Sequence, residues 1–229
     1  MNFVIIGLGN FGASLAKKLS SMGHEVIGVD RDLSKVEFYK DRISQTICLD
    51  ASDVHAIRSL PLADADMVVV AIGHDFGSSV MIGALLRKMN VKNIIGRETS
   101  SVHITVMNAL GIENTINPEY ESAFMFAEKL VMEGVRDIYP LSREVKIAEI
   151  PVSDALVGNP LDCKKMGEKN NIEILAVKRP TPTKVQGPND DICKIIFSNQ
   201  IPDNFLLQYS DTLIVMGNKD DILDFMEEN

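Results

Sequence analysis

The chain has 229 residues, 45% of them apolar and 24% charged, enough to bury one large core or two small ones and unlike a disordered or fibrous composition. With 32 acidic against 23 basic residues the net charge is -9, which argues against a nucleic-acid backbone or an anionic lipid surface as the main partner, because both repel a net anion. Three cysteines, Cys48, Cys163 and Cys193, lie far apart and form neither a disulfide framework nor a zinc cluster. The longest strongly apolar stretch, residues 67–72, is strand-sized, well short of the roughly 20 residues a membrane helix needs. Met1 runs almost directly into Phe3-Val4-Ile5-Ile6 without a basic leader, so no secretory signal and a soluble, intracellular protein are expected.

Strand-like and helix-like segments alternate through residues 1–117. Residues 3–6 form a continuous apolar run, as a strand covered on both faces does. Residues 10–20 then carry Phe11, Leu15, Ala16 and Leu19 at helical spacing. Residues 25–30 are a second strand, 33–40 a polar helix and 46–49 a third strand, with Asp53 capping a short helix through Leu60. Strands at 67–72, 93–95 and 114–116 alternate with helices at 78–89 and 102–110. Such alternation with short connections predicts an α/β Rossmann fold, a doubly wound parallel sheet with right-handed crossovers.

Gly7-Leu8-Gly9-Asn10-Phe11-Gly12 follows the first strand and opens the first helix. In this setting Gly7 permits the tight turn, Gly9 lets the backbone approach a diphosphate, and Gly12 lets helix and strand pack closely. The helix N-terminus offers its free N–H groups to phosphates. Asp30 closes the second strand, where a carboxylate accepts hydrogen bonds from ribose hydroxyls. Nucleotide binding is therefore expected, the competing reading being a tight turn without a ligand. Asp30 disfavours a 2′-phosphate and hence NADP, although Arg31 beside it keeps that open. AMP, ADP, ATP and NAD share too much of one structure for the fingerprint to separate them.

All four histidines lie in this first half. His24 is expected in a solvated turn, and His55 and His103 on helix surfaces. His74, with Ile72 and Gly73, sits at the carboxyl end of the fourth strand, where ligands bind in such sheets. No acid or lysine is placed with it as a proton-transfer pair, and no nucleophile elbow or metal-ligand spacing is present. The expectation is a nucleotide sensor and not an enzyme. The rival is a small NAD-dependent oxidoreductase using His74; a free-standing sensor without a membrane partner is a third reading.

Residues 119–132 read as a helix with Phe124, Met125, Phe126, Leu130 and Val131 on a broad apolar surface. It either packs on its own core or crosses to a partner chain, and a dimer contact is favoured because a helix apolar most of the way round must be covered on several sides. With its linker it spans 118–140. Residues 141–229 read as a small α+β domain: strands at 145–150, 173–178, 192–197 and 212–217, helices at 161–169 and 220–227, and a proline-rich loop at 179–188.

Taken together these residues resemble the RCK family, the regulators of potassium conductance, and more closely the cytosolic subunits of bacterial Trk/Ktr potassium uptake systems. The resemblance rests on IIGLGNFG (5–12), GHEVIGVD (23–30), CLDASD (48–53), ADMVVVAIG (65–73) and LGIENTINPE (110–119), then ALVGNPL (155–161), IEILAVKR (172–179) and YSDTLIVMGNKDDI (209–222). It implies a Rossmann domain at 1–117, a crossover helix and linker at 118–140, and a small C-terminal RCK domain at 141–229. It further implies a non-enzymatic gating subunit at the inner face of the cell membrane, homodimeric and assembled into an octameric ring beneath a membrane-embedded potassium transporter. NAD(H) or ADP/ATP would be the ligand. By position, Gly7, Gly9 and Gly12 would hold the diphosphate, Asp30 the ribose, and Asp50 and Ala51 would line the adenine pocket, with Asn10, Phe11 and Arg31 also among the nucleotide-binding residues. Ile72, Gly73 and His74 would line the site, and Arg97 would face the phosphates. Glu119 resembles a family acid that coordinates a cation near the nucleotide at the dimer interface; for Arg97 and Glu119 ordinary surface charge is the competing reading. Two departures stand out. Asn10 is neutral where several relatives carry an arginine for the terminal phosphate of ATP, which gives NAD(H) more weight. Gly167 occupies the place of an arginine used by relatives that bind cyclic di-AMP.

Overall fold

The computed structural model describes residues 1–181 and 193–228. The chain divides into two compact units, Met1–Glu121 and Ser122–Asn229.

In the first unit, β1 (Asn2–Ile6), α1 (Asn10–Ser21), β2 (Glu25–Asp30), α2 (Leu33–Tyr39), β3 (Gln45–Cys48), β4 (Met67–Val70), α3 (Phe76–Lys88), β5 (Ile94–Arg97), α4 (Ser101–Ala109) and β6 (Thr115–Ile116) succeed one another. All pairings are parallel and the strand order is β3-β2-β1-β4-β5-β6, the doubly wound Rossmann order. Side chains alternate between the two faces of a strand, so Val4, Ile6, Val68 and Val70 fill one core with Ile82, Leu86 and Met107 of α3 and α4. Phe3, Ile5 and Val69 fill the other with Ala13 and Ala16 of α1. That two-sided burial is why β1 from Phe3 onward and β4 are apolar. The chain winds in opposite directions from β1 and β4, and the reversal opens a crevice at their carboxyl ends. The short helix expected after Asp53 is a 3₁₀ turn at Ile57–Ser59, with Asp53 accepting from the amides of His55 and Ala56.

The second sheet is antiparallel: β7 (Asp137–Pro140), β8 (Val145–Pro151), β9 (Glu173–Pro180), β10 (Cys193–Phe197) and β11 (Thr212–Asn218), in the order β10-β9-β11-β8-β7. Helices α6 (Cys163–Asn170) and α7 (Lys219–Glu228) belong to the same unit, where Ile222 and Phe225 of α7 join Ile150, Ile174, Leu213 and Val215 in one core. Two expectations need correction. The segment read as linker contains β7, an edge strand in which only Ile138 is buried, so it shows no alternating run of apolar residues. Arg179 and Pro180 close β9 and are not loop: Pro180 pairs with Cys193 at the strand's end, beside the edge strand β10, where a missing N–H is tolerated. Ile192 and residues 182–188 of the expected loop lie outside the described residues.

Between the sheets in sequence runs α5 (Pro118–Leu130), none of whose residues is buried in the single chain. Phe126 is 62% exposed and Leu130 67%. Among the described residues no helix is long and apolar enough to cross a membrane.

Candidate functional site

A cavity of ≈ 290 Å³ opens at the carboxyl ends of β1, β2 and β4. Of the residues expected there, Gly7, Gly9, Asp30, Arg31, Asp50, Ala51, Ile72, Gly73, His74 and Arg97 line it. Asn10, Phe11, Gly12 and Glu119 do not. Asp32, Lys35, Leu49, Asp75, Ser78 and Ile82 also line it and were not anticipated.

The floor is the glycine loop. Gly7 has φ +103°, a left-handed conformation that disfavours any side chain. A Cβ on Gly9 would meet nothing within 4 Å, so the backbone there is bare toward the cavity. Gly9 is also the N-cap of α1 and offers no side chain to the first amides; α1 has no acid in its first turn. By contrast, Asp32, Asp75 and Ser100 cap α2, α3 and α4 by accepting from Ser34, Ser78 and His103. The N–H groups and positive dipole end of α1 are thus free for an anion.

Asp30 is 9% exposed, and its carboxylate already works inside the protein. Oδ2 accepts from Leu8 N at 2.7 Å and from Lys35 Nζ at 3.4 Å, and Oδ1 accepts from Asp32 N at 2.9 Å. Asp30 therefore pins the glycine loop to β2 and α2. A carboxylate has about four acceptor sites, which leaves room on Oδ1 for a further donor such as a hydroxyl. Arg31 reaches toward Asp75 at 3.8 Å. Asp75 carries its charge readily: the Ser78 amide and hydroxyl hold its carboxyl below the usual 3.8, and Ser52 does the same for Asp50. Asp75 could have been found from its Asp-x-x-Ser spacing at the start of a helix; the inward reach of Lys35 leaves no such mark.

Arg97 ends β5 with its guanidinium over the Phe11 ring, 5.6 Å from the centroid. Nη1 donates to Ala71 O at 3.3 Å and Nη2 donates to Glu119 Oε1. Phe11 thus supports the site from beneath, Asn10 is exposed at the start of α1, and Gly12 packs α1 against the loop. A cation at Glu119 would have to share a carboxylate that a guanidinium holds. Among the described residues no group of three or more His, Cys, Asp or Glu could hold a metal ion.

The histidines are redistributed. His74 is exposed at the cavity mouth and no side-chain hydrogen bond orients its ring among the described residues. His24 is partly covered against Phe3, its ring 5.5 Å away, and is not freely solvated. His103 is fully buried rather than on a helix surface, because the face of α4 that carries it turns toward α3. Its ring lies 5.1 Å from Phe76 and its Nδ1 pairs with Thr99 Oγ1 at 3.3 Å. Burial holds its pKa below 6.5, against the opposing pull of Glu98. The folded chain therefore keeps His103 neutral while the unfolded chain takes up a proton as pH falls through 6.5, so stability declines on acidification below that pH. Urea midpoints on either side of 6.5 should show that decline, and His103→Gln should flatten it.

The TrkA-N domain family matches residues 3–118. Ktr system potassium uptake protein C of Bacillus subtilis is 33% identical over 177 residues, covering 77% of this chain and 80% of that protein. Ktr system potassium uptake protein A of the same organism is 30% identical over 226 residues, 99% of this chain and 96% of that one. Among solved structures, the GsuK RCK domain superposes with a TM-score of 0.59 at 16% identity, covering 99% of this chain and 47% of that one. The GsuK channel bound to NAD gives 0.56 at 16% identity, with 99% and 38% covered. The family match over residues 3–118 and the Ktr relatives agree: the chain belongs to the TrkA-N domain family, and its fold is the one shared with the GsuK RCK domain.

Proposed function

We propose that this protein is a nucleotide-gated regulatory subunit of a potassium uptake transporter, acting on the cytoplasmic side of the membrane through a Trk/Ktr-type membrane partner. One observation carries the reading: an uncapped helix N-terminus, a bare glycine loop and a loop-holding aspartate converge on one cavity, in a chain similar along almost its whole length to a Ktr subunit. The cavity suits the adenosine and phosphates of NAD(H), ADP or ATP. Gly7, Gly9 and the amides of α1 would take the phosphates, Asp30 a ribose hydroxyl, and Asp50 and Ala51 the adenine side. The ligand would bias the subunit only through its differential affinity for two conformations. Among the described residues no acid or lysine is hydrogen-bonded to the His74 ring, and the one Lys–Asp pair in the lining, Lys35–Asp30, holds the glycine loop, which favours sensing over turnover.

The proposed working unit is a homodimer, the family's octameric ring being its extension. Support comes from α5, whose Phe126 and Leu130 stand in solvent in the single chain and need a cover. Phe126→Glu with Leu130→Glu should turn a dimer in sedimentation velocity into a monomer with the first unit still folded; an unchanged sedimentation coefficient would count against α5 as the contact. Function itself is tested by co-expression with a Trk/Ktr membrane subunit. Co-purification and potassium flux that responds to an adenine nucleotide are expected, and flux indifferent to the protein and the nucleotide would refute the proposal.

A further inference from the structure

We propose that Arg31 and Asp75 form a latch across the mouth of the cavity, closing over the adenosine part of the nucleotide and setting how long it stays bound. The inference rests on the nucleotide reading of the cavity and adds what retains the ligand there.

The two residues stand on opposite sides of the crevice. Arg31 directly follows β2, and Asp75 is the N-cap of α3, which follows β4. In the sheet β1 lies between those strands, so a contact from Arg31 to Asp75 passes over the carboxyl end of β1 and its glycine loop. Both residues line the cavity together with Ile6, Val29, Ala71 and Ile82. Those four are buried, whereas the Arg31 side chain is 60% exposed and that of Asp75 34%. The apolar residues are the bottom and the ion pair is the rim. β2 pairs with β3 through Asp30 and Cys48, which puts Arg31 beside Leu49, Asp50 and Ala51, on the side proposed for ribose and adenine.

The two ends differ in freedom. Asp75 is fixed: Oδ1 accepts from Ser78 N at 2.9 Å and Oδ2 from Ser78 Oγ at 2.7 Å. The Arg31 guanidinium presents five donors and donates no hydrogen bond among the described residues. Its Nη1 stands 3.8 Å from Asp75 Oδ2, about 1 Å beyond a charge-assisted hydrogen bond, so the pair is attracted but not bonded. Asp50 offers a second acceptor: Ser52 N and Oγ both use its Oδ1, and Oδ2 accepts nothing among the described residues. The carboxyls of Asp50 and Asp75, held below 3.8 chiefly by Ser52 and Ser78, are both lowered further by the charge of Arg31. Arg31 therefore acts electrostatically on either.

Two acceptors give the contact two positions, and a ligand chooses between them. Turned to Asp50, Arg31 leaves the mouth open; turned to Asp75, it spans the mouth. An adenosine seated against Asp30, Asp50 and Ala51 displaces water from beneath the pair, and an ion pair strengthens as water leaves. The adenosine therefore favours the closed position, and by reciprocity the closed position holds the adenosine. Such a contact acts on dissociation more than on encounter.

The test uses the full chain, immobilised for surface plasmon resonance, with ADP and NAD as probes. Arg31→Ala and Asp75→Asn each remove one end of the latch; asparagine is itself a good helix cap, so α3 keeps its start. Each variant should release both probes about two- to fivefold faster than wild type, the scale of an exposed ion pair. The double variant should be no faster than the quicker single one, as two residues acting through one contact require. In about 1 M salt, where charges are screened beyond about 3 Å, wild type and variants should converge, and a difference that persists would count against an ion pair. Unchanged dissociation from a folded Arg31→Ala chain would overturn the latch, and so would effects that add in the double variant, which would make the two residues independent contacts. An effect on NAD alone would also overturn it, because both probes share the adenosine. If neither probe binds wild type, the nucleotide reading itself fails. Binding with dissociation indifferent to both residues leaves that reading standing and removes only the latch.

Discussion

Gly12→Ala should cost about 3 kcal/mol or more of stability and abolish nucleotide binding, because the new methyl meets backbone that cannot yield. A Cβ at Gly12 would stand 1.9 Å from Gly7 O and 2.9 Å from the Ala71 Cβ. Gly7 is itself fixed, at φ +103° with its amide donating to Val29 O at 2.7 Å. Relief therefore requires α1 to move off β1, opening the packing of Ala13 and Ala16 in the core beneath and carrying the free amides of α1 away from the cavity. Urea denaturation should show a lower midpoint with an unchanged slope. A Gly12→Ala chain as stable as wild type would mean that α1 does not pack on the loop as described.

Asp211→Ala should destabilise the second unit by about 3 kcal/mol, the scale of breaking a buried ion pair by removing one member. Asp211 is 0% exposed. It accepts from Arg179 Nε at 2.7 Å and Nη2 at 2.6 Å, and from Gln208 N at 2.9 Å. Arg179 also donates to Leu206 O at 2.9 Å and lies 4.5 Å from the Phe205 ring centroid. One carboxylate thus joins β9 to the segment leading into β11, and alanine leaves a partly covered guanidinium and an amide without their acceptor. The first unit has its own two cores, so adenine nucleotide affinity should survive in Asp211→Ala. Lost binding together with unchanged melting would contradict that independence.

The Rossmann half was readable because its signals are local. Continuous apolar runs mark β1 and β4, and Gly7, Gly9 and Gly12 mark the turn between β1 and α1. The position of Asp30 was equally plain, but not its work: holding Leu8, Asp32 and Lys35 depends on how loop, strand and α2 meet in space. His103 failed for the same reason, since helical spacing places it on α4 without saying which face meets α3. β7 offers one buried side chain in four residues, too little pattern to show before its partner β8 is present. The pairing of Arg97 with Glu119 joins residues 22 apart in sequence that meet only because β5 and β6 are adjacent.

The most direct test of nucleotide sensing is calorimetric titration of ATP, ADP, NAD and NADH into the wild-type chain and Asp30→Ala, with folding of the variant confirmed by circular dichroism. Saturable binding of at least one adenine nucleotide to wild type, lost in a folded Asp30→Ala chain, is the expected result. Absence of binding by all four to wild type, or equal binding to both chains, would contradict a nucleotide site built on the glycine loop and Asp30.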